Sequence, residues 1–196
     1  HYRVKAVSTG GATYGDDMEF TTSTALPTVI DYDGNEYNII TIGTQEWIQE
    51  NLKTTHYNNG EIIANITDNT EWNGLTSGAY CWYDNDETTY GNTYGALYNW
   101  YSTVDVRNVC PAGWHVPTDS EWTALSTFLG GEADAGGKLK EEGLSHWASP
   151  NTAATNESGF TALPAGERES DGNNFSAIGY SNFLWSSTAW DGGYSW

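Results

Sequence analysis

Polar and apolar residues alternate at the start of the chain. Tyr2, Val4 and Ala6 stand against Arg3 and Lys5, the chain turns through Ser8-Thr9-Gly10-Gly11, and it returns through Met18 and Phe20. His1 to Thr22 therefore reads as a two-stranded hairpin with one apolar face. A lone hairpin is marginal in water, so this one is expected to belong to a larger sandwich whose other strands cover that face. Ser23 to Thr28 is small and polar and carries Pro27, which marks a linker. Beyond it, Val29-Ile30-Asp31-Tyr32 and Tyr37-Asn38-Ile39-Ile40 flank Asp33-Gly34, the pattern of a second hairpin around an Asp-Gly turn. Gln45 to Leu52 continues as a further strand anchored by Trp47.

Further on the apolar spacing lengthens. Leu97, Trp100 and Tyr101 recur at offsets of three and four, which predicts a short helix over 95–101. A stronger signal follows: Thr118 with Glu121 three residues later is a capping box, Trp122, Leu125 and Phe128/Leu129 repeat at helical spacing, and Gly130-Gly131 stops the run. A helix from Asp119 to Leu129 with Trp122 and Leu125 buried is expected. From Gly136 to Trp196 turn chemistry dominates, in Gly136-Gly137, Ser149-Pro150-Asn151, Asn156 to Gly159 and Ser170 to Asn174. Short apolar pieces, Phe160 to Leu163 and Phe183 to Trp185, lie between these turns.

Composition narrows the function. The 26 acidic and 7 basic residues leave a formal charge of -19, which excludes nucleic acid and anionic membrane surfaces, because binding phosphate needs clustered cations. Divalent cations and neutral ligands suit such a chain better. Apolar runs such as Val29-Ile30 and Ile39-Ile40 are far too short to insert into a membrane. Ten Trp, 13 Tyr and 22 Gly beside one Met describe a loop-rich, extracellular or cell-surface protein. Cys81 and Cys110 permit one disulfide.

Two resemblances organise these elements. The first hairpin resembles the last two strands of a fibronectin type III domain, with Tyr2 at the tyrosine corner and Phe20-Thr21-Thr22 closing the final strand. The remainder, Val29 to Trp196, resembles the Fibrobacter succinogenes major paralogous domain. The likeness is carried in order by Asp31 to Tyr37, Trp47 to Leu52, Tyr80 to Tyr83, Tyr94 to Trp100, Cys110 to Thr118, Gly137 to Lys140, Asn156 to Phe160 and Trp185 to Thr188. Within it, Trp114 to Trp122 is similar to the Leu-Pro-Thr-x-x-Glu-Trp signature of the formylglycine-generating enzyme superfamily. The resemblance implies an α+β, C-type-lectin-like fold with two helices, small twisted antiparallel sheets and long ligand-bearing loops. It also implies a domain truncated before its last strands, which would carry a further cysteine able to compete for Cys110. The copper-binding cysteine pair of the enzymes in that superfamily has no counterpart, since no cysteine follows Cys110.

No catalytic set is visible. His1, His56, His115 and His146 lack metal-ligand spacing, and His115, beside Trp114, reads as a structural histidine. Asp84-Asn85-Asp86-Glu87 is the densest run of oxygen ligands, making Asp84, Asp86 and Glu87 the candidate calcium ligands, with a solvated acidic turn as the alternative. Glu169 to Asn174 is a second such run. Trp47, Trp82, Trp100, Trp114, Trp122 and Trp185 are expected in the core. Trp72, Trp147, Trp190, Tyr194 and Trp196 lie among Gly, Ser and Asp, where a flat exposed ring stacks on a sugar face. The expected ligand is therefore a glycan or surface polysaccharide, held by Asp171, Asn173, Asn174, Trp190 and Tyr194 together with the acidic turn. A role in self-association or contact with other surface proteins, as a subunit of a fibre or large adhesin, is the alternative.

Overall fold

The computed structural model describes residues 5–15, 25–172 and 174–189. At the N-terminus β1, Lys5–Ser8, pairs antiparallel with β2, Gly11–Tyr14, through Thr9-Gly10. Tyr2, Val4, Met18 and Phe20, expected on the apolar face of this hairpin, lie outside the described residues.

The second hairpin forms where the Asp-Gly pair predicts it. β3, Thr28–Ile30, pairs with β4, Glu36–Ile42, which pairs with β5, Gln45–Ile48, giving an antiparallel sheet in the order β3-β4-β5. Asp31 holds the turn: its carboxylate accepts from the Asn35 backbone and side-chain amides, both at 2.9 Å, and from the Tyr37 hydroxyl at 2.6 Å. Burial and the Asp31 carboxylate push the Tyr37 hydroxyl far above its ordinary pKa, so it remains a donor. Gly34 takes the left-handed backbone, φ +84°, that the turn requires. Tyr37, Ile40 and Ile42 of β4 point into the core.

The next stretch is built from short pieces. β6, Ala64–Asn65, is followed by α1, Asn69–Asn73, capped by the Asp68 side chain, and by β7, Ala79–Cys81. A tight turn at Tyr83–Asn85 and a wide one at Glu87–Gly91 lead into α2, Asn92–Tyr94, then β8, Leu97–Tyr98, and α3, Trp100–Thr103. β7 is central in a second sheet, parallel to β6 and antiparallel to β8. The helix expected over 95–101 is thus split. Tyr98 and Leu97 pair with Tyr80 and Cys81, and the helix begins only after Asn99, whose side-chain oxygen accepts from the Ser102 N–H at 3.1 Å. An asparagine N-cap is a strong start signal, and here it outweighed the apolar spacing that spans it.

α4, Asp119–Phe128, has the expected capping box: the Glu121 N–H donates to Thr118 Oγ1, and the Thr118 N–H donates to Glu121 Oε2 at 2.8 Å. Leu125 and Leu129 are buried beneath β4 and β5 in a cluster with Ile40, Ile42, Trp47 and Phe160. Trp122 is half-buried, its ring 4.8 Å from that of Trp47, while Phe128 stays exposed over the Gly43 turn. Gly130 and Gly131 end the helix with left-handed backbone, and α5, Glu132–Leu139, follows at once. Gly136 and Gly137, read as a turn in the sequence, lie inside this helix. The last hairpin joins β9, Ala165–Arg168, to β10, Phe175–Ile178.

Cys81 and Cys110 are both free and buried, and burial pushes their thiols up to about 11 and about 12. The disulfide that two cysteines permit is not formed. Cys81 packs with Trp72 and Ala79, and Cys110 packs with Tyr57, Tyr80 and Val109 in a different apolar cluster.

Arg107 ties two surface loops together. It donates to Asp105 at 2.7 and 2.8 Å and to Glu61 at 2.8 Å, with its guanidinium 4.0 Å above the Tyr57 ring. The Arg107 hydrogen bonds hold the Asp105 carboxyl down from 3.8 to about 2. A folded pKa below the unfolded one stabilises at pH values above both and loses that contribution as pH falls through the folded value. The stability difference between wild type and Asp105→Asn is therefore expected to stay level from about pH 7 to about pH 5, to shrink from about pH 4 and to vanish only below about pH 2. Urea titrations across that range would show it, and a difference that persists at the acid end would contradict it.

Candidate functional site

Three elements meet around one cleft of about 1200 Å³, open to solvent. β5 and the residues after it form one wall, β8 and α3 another, and the segments 109–117 and 182–185 complete it. Its surface is aromatic because separate parts of the chain each contribute a ring: Trp100 and Tyr101 from α3, Trp114 from the loop before α4, Trp122 from α4, and Phe183 and Trp185 from the stretch after β10. Two of these rings are tethered. The Trp185 indole donates to the Tyr98 carbonyl at 2.8 Å, and the Trp122 indole donates to the Trp185 carbonyl at 3.1 Å. Tyr101 and Phe183 are 39% and 53% exposed and form the rim.

The two regions proposed from the sequence as ligand-bearing come together beside this cleft. The Thr67 carbonyl accepts from Asn85 Nδ2 of the acidic turn at 3.3 Å and from Arg168 at the end of β9 at 3.1 Å. The Tyr83 and Phe175 rings meet with centroids 5.3 Å apart. Ser170, at the tip of the β9–β10 hairpin, borders the cleft, one residue before the exposed Asp171. Asn174 donates to Glu169 at 3.2 Å across the tip. Asn173, Trp190 and Tyr194 lie outside the described residues.

The acidic turn is held by its own hydrogen bonds. The Asp86 carboxylate accepts from the Thr89 hydroxyl at 2.6 Å and from the Thr89 N–H at 3.0 Å, capping the turn that follows, and these bonds lower its pKa. Asp84 and Asn85 both take left-handed backbone, at φ +52° and φ +56°. Among the described residues no group of three or more His, Cys, Asp or Glu side chains converges as a metal site, so Asp84, Asp86 and Glu87 do not form one.

Trp72 and Trp147 are likewise not stacking platforms, being 8% and 7% exposed. Trp72 lies under the Arg168 guanidinium at 4.4 Å. The Trp147 indole donates to the Ala162 carbonyl at 3.0 Å, with the Lys140 ammonium 5.0 Å from its ring. Polar sequence neighbours did not keep either ring at the surface, because the covering groups come from elsewhere in the chain. Of the six tryptophans expected inside, Trp47 and Trp82 are buried, while Trp100, Trp114, Trp122 and Trp185 are half-buried along the cleft.

Two features were not visible in the sequence. Arg168 is one. The other is a cluster in which Asp33 receives the Thr54 and Thr55 hydroxyls and meets His56 Nδ1, beside the Tyr32 ring at 5.4 Å. Burial raises the Asp33 carboxyl, but the hydrogen bonds from Thr55, His56 and Thr54 outweigh it and lower the pKa. Thr55 Oγ1 and Asp33 both face the same imidazole nitrogen, whereas activating a nucleophile needs the carboxylate on one ring nitrogen and the hydroxyl on the other. The cluster ties the β3–β4 turn to residues 54–56. His115, 65% exposed, pairs with Glu121 at 2.9 Å next to the capping box.

Short helices and small sheets around an aromatic cleft make a mixed α+β domain, with no helix among the described residues long and apolar enough to cross a membrane. The sequence model of the Fibrobacter succinogenes major domain matches residues 40–196, and the chain belongs to that family. No curated protein and no solved structure matches it.

Proposed function

We propose that this domain is an extracellular or cell-surface recognition module of C-type-lectin-like architecture, related to the formylglycine-generating enzyme superfamily but acting without catalysis, and that it holds a neutral glycan on the rim of the aromatic cleft. The observation that carries the reading is the rim itself. Exposed Tyr101 and Phe183 flank the cleft that Ser170 borders, with Asp171 and Asn174 on the same hairpin tip. A flat ring packs against the CH face of a sugar while short polar side chains take its hydroxyls. A shallow site of this kind binds weakly, with a dissociation constant on the order of 0.1 to 1 mM, and gains avidity from repeated copies.

Titration of neutral oligosaccharides followed by calorimetry tests it. Binding is expected to be unaffected by calcium and to weaken roughly tenfold, about 1.4 kcal/mol, in Tyr101→Ala and Asp171→Ala. Trp190→Ala extends the test to the C-terminal residues. Unchanged affinity in all three variants would remove the rim as the site. No binding to any neutral glycan would favour assembly into a fibre or larger adhesin.

A further inference from the structure

The floor of the cleft carries chemistry that a sugar on its rim leaves unused. β5 pairs with β4 on one side, and among the described residues no strand lies on its other side. The Gln49 N–H donates to the Asn38 carbonyl at 2.9 Å, so the alternation of an antiparallel ladder turns the backbone N–H and C=O of Glu46 and Ile48 away from β4. Both residues line the cleft, as does β8, the edge strand of the second sheet. Among the residues around the cleft, four side-chain atoms are buried with no hydrogen-bond partner: the indole nitrogens of Trp47 and Trp100, Nε of Arg168 and Oδ1 of Asn182. All four residues line the same cleft, and Trp47 and Arg168 are more than nine-tenths buried. Most buried polar groups in folded proteins are paired, so four residues of one cleft that each hold an unpaired atom, beside a free strand edge, single this cleft out.

We infer that the cleft floor is a docking groove for an extended polypeptide segment that adds as a strand to the β5 edge. Alternate side chains of that segment would enter the aromatic floor, so they are apolar or aromatic. Charge sets its flanks. Glu46, Glu50 and Glu167 line the cleft, no lysine does, and its one arginine, Arg168, is committed to the Ile66 and Thr67 carbonyls and to Asn69. In a chain of net charge -19 the complementary partner carries lysine or arginine at its ends. The groove rests on the β5 edge and its charged flanks, not on Tyr101 or Phe183 of the rim.

The test titrates the full chain with a fluorescent Arg-Val-Ser-Tyr-Ser-Val-Ser-Tyr-Arg peptide, whose apolar side chains all lie on one face of a strand, reading anisotropy and amide hydrogen exchange at Glu46 and Ile48. Saturable binding is expected, with exchange at both amides slowed roughly tenfold or more and affinity roughly tenfold weaker when aspartate replaces both arginines. Two N-methylated peptides, one for each phase of alternation, separate strand pairing from general stickiness, and at least one of them must fail to bind. No saturable binding, unchanged exchange at Glu46 and Ile48, no loss with the aspartate peptide, or full affinity in both N-methylated peptides would overturn the groove. So would a peptide-free dimer that already protects those two amides, which makes a second copy the occupant, or their protection by a neutral oligosaccharide.

Discussion

Arg168→Ala is expected to lower stability by about 3 kcal/mol, the loss assigned to removing a buried, hydrogen-bonded charge. Arg168 is buried at the end of β9 with no carboxylate among its described partners. Three oxygens compensate its charge instead, the Ile66 carbonyl at 2.6 Å, the Thr67 carbonyl at 3.1 Å and Asn69 Oδ1 at 3.0 Å. The Trp72 and Phe175 rings, 4.4 and 5.2 Å from the guanidinium, sandwich it. Alanine removes the donors, leaves the Ile66 carbonyl without the guanidinium and the Thr67 carbonyl with Asn85 alone, and opens a void beside Trp72. Hydrogen bonds from a charged donor contribute about 1.5 to 3 kcal/mol each but do not add independently, which is why the expected total is near that of one or two of them. Lysine keeps the charge without the planar fork, so Arg168→Lys should fall between wild type and alanine. Arg168→Met separates packing from hydrogen bonding. With a urea dependence of about 2 kcal/mol per molar, alanine shifts the unfolding midpoint down by roughly 1.5 M. A methionine variant as stable as wild type would mean that the hydrogen bonds contribute nothing net.

The neighbouring glycines of α5 are expected to respond to alanine with opposite signs. Propensity alone favours both substitutions by about 1 kcal/mol, since glycine loses the most backbone freedom in a helix. At Gly136 an added Cβ meets nothing within 4 Å, so Gly136→Ala should be stabilising by about 0.5 to 1 kcal/mol. At Gly137 it would lie 2.3 Å from the Ala153 carbonyl oxygen, a backbone atom with no flexible end to swing aside. The loop cannot retreat cheaply, because the Thr155 N–H donates to the Gly137 carbonyl at 2.9 Å and the Ser158 hydroxyl to the Lys138 carbonyl at 2.8 Å. Overpacking of this kind costs about 1 to 3 kcal/mol, enough to reverse the propensity gain, and Gly137→Ala should be destabilising by about 1 to 2 kcal/mol net. Paired thermal melts decide it, and two variants shifting upward together would show that the loop does not press on the helix.

How much was legible depends on how far apart the cooperating residues lie. Asp33-Gly34 and the Thr118-Glu121 box act within one turn of chain, and both the hairpin and α4 formed where those residues place them. Asn99 was equally local but went unread, because an apolar spacing of three and four ran across it. The glycan candidates were legible only as composition: Asp171 and Asn174 lie on the hairpin whose Ser170 borders the cleft, while Trp72 and Trp147 turned inward.

The sequence by itself determined the family, the α+β content and the start of each strong element, since hairpin turns and helix caps are settled by hydrogen bonds between residues a few positions apart. Tertiary structure alone decided which rings are covered, why Gly137 sits inside a helix, and where the charge of Arg168 is compensated. Arg168 and the Ile66 carbonyl it binds are 102 residues apart, and no local pattern encodes that meeting. The same holds for the cleft: β5, β8 and the 182–185 stretch each carry ordinary apolar and polar residues, and only their packing brings two strand edges around one space.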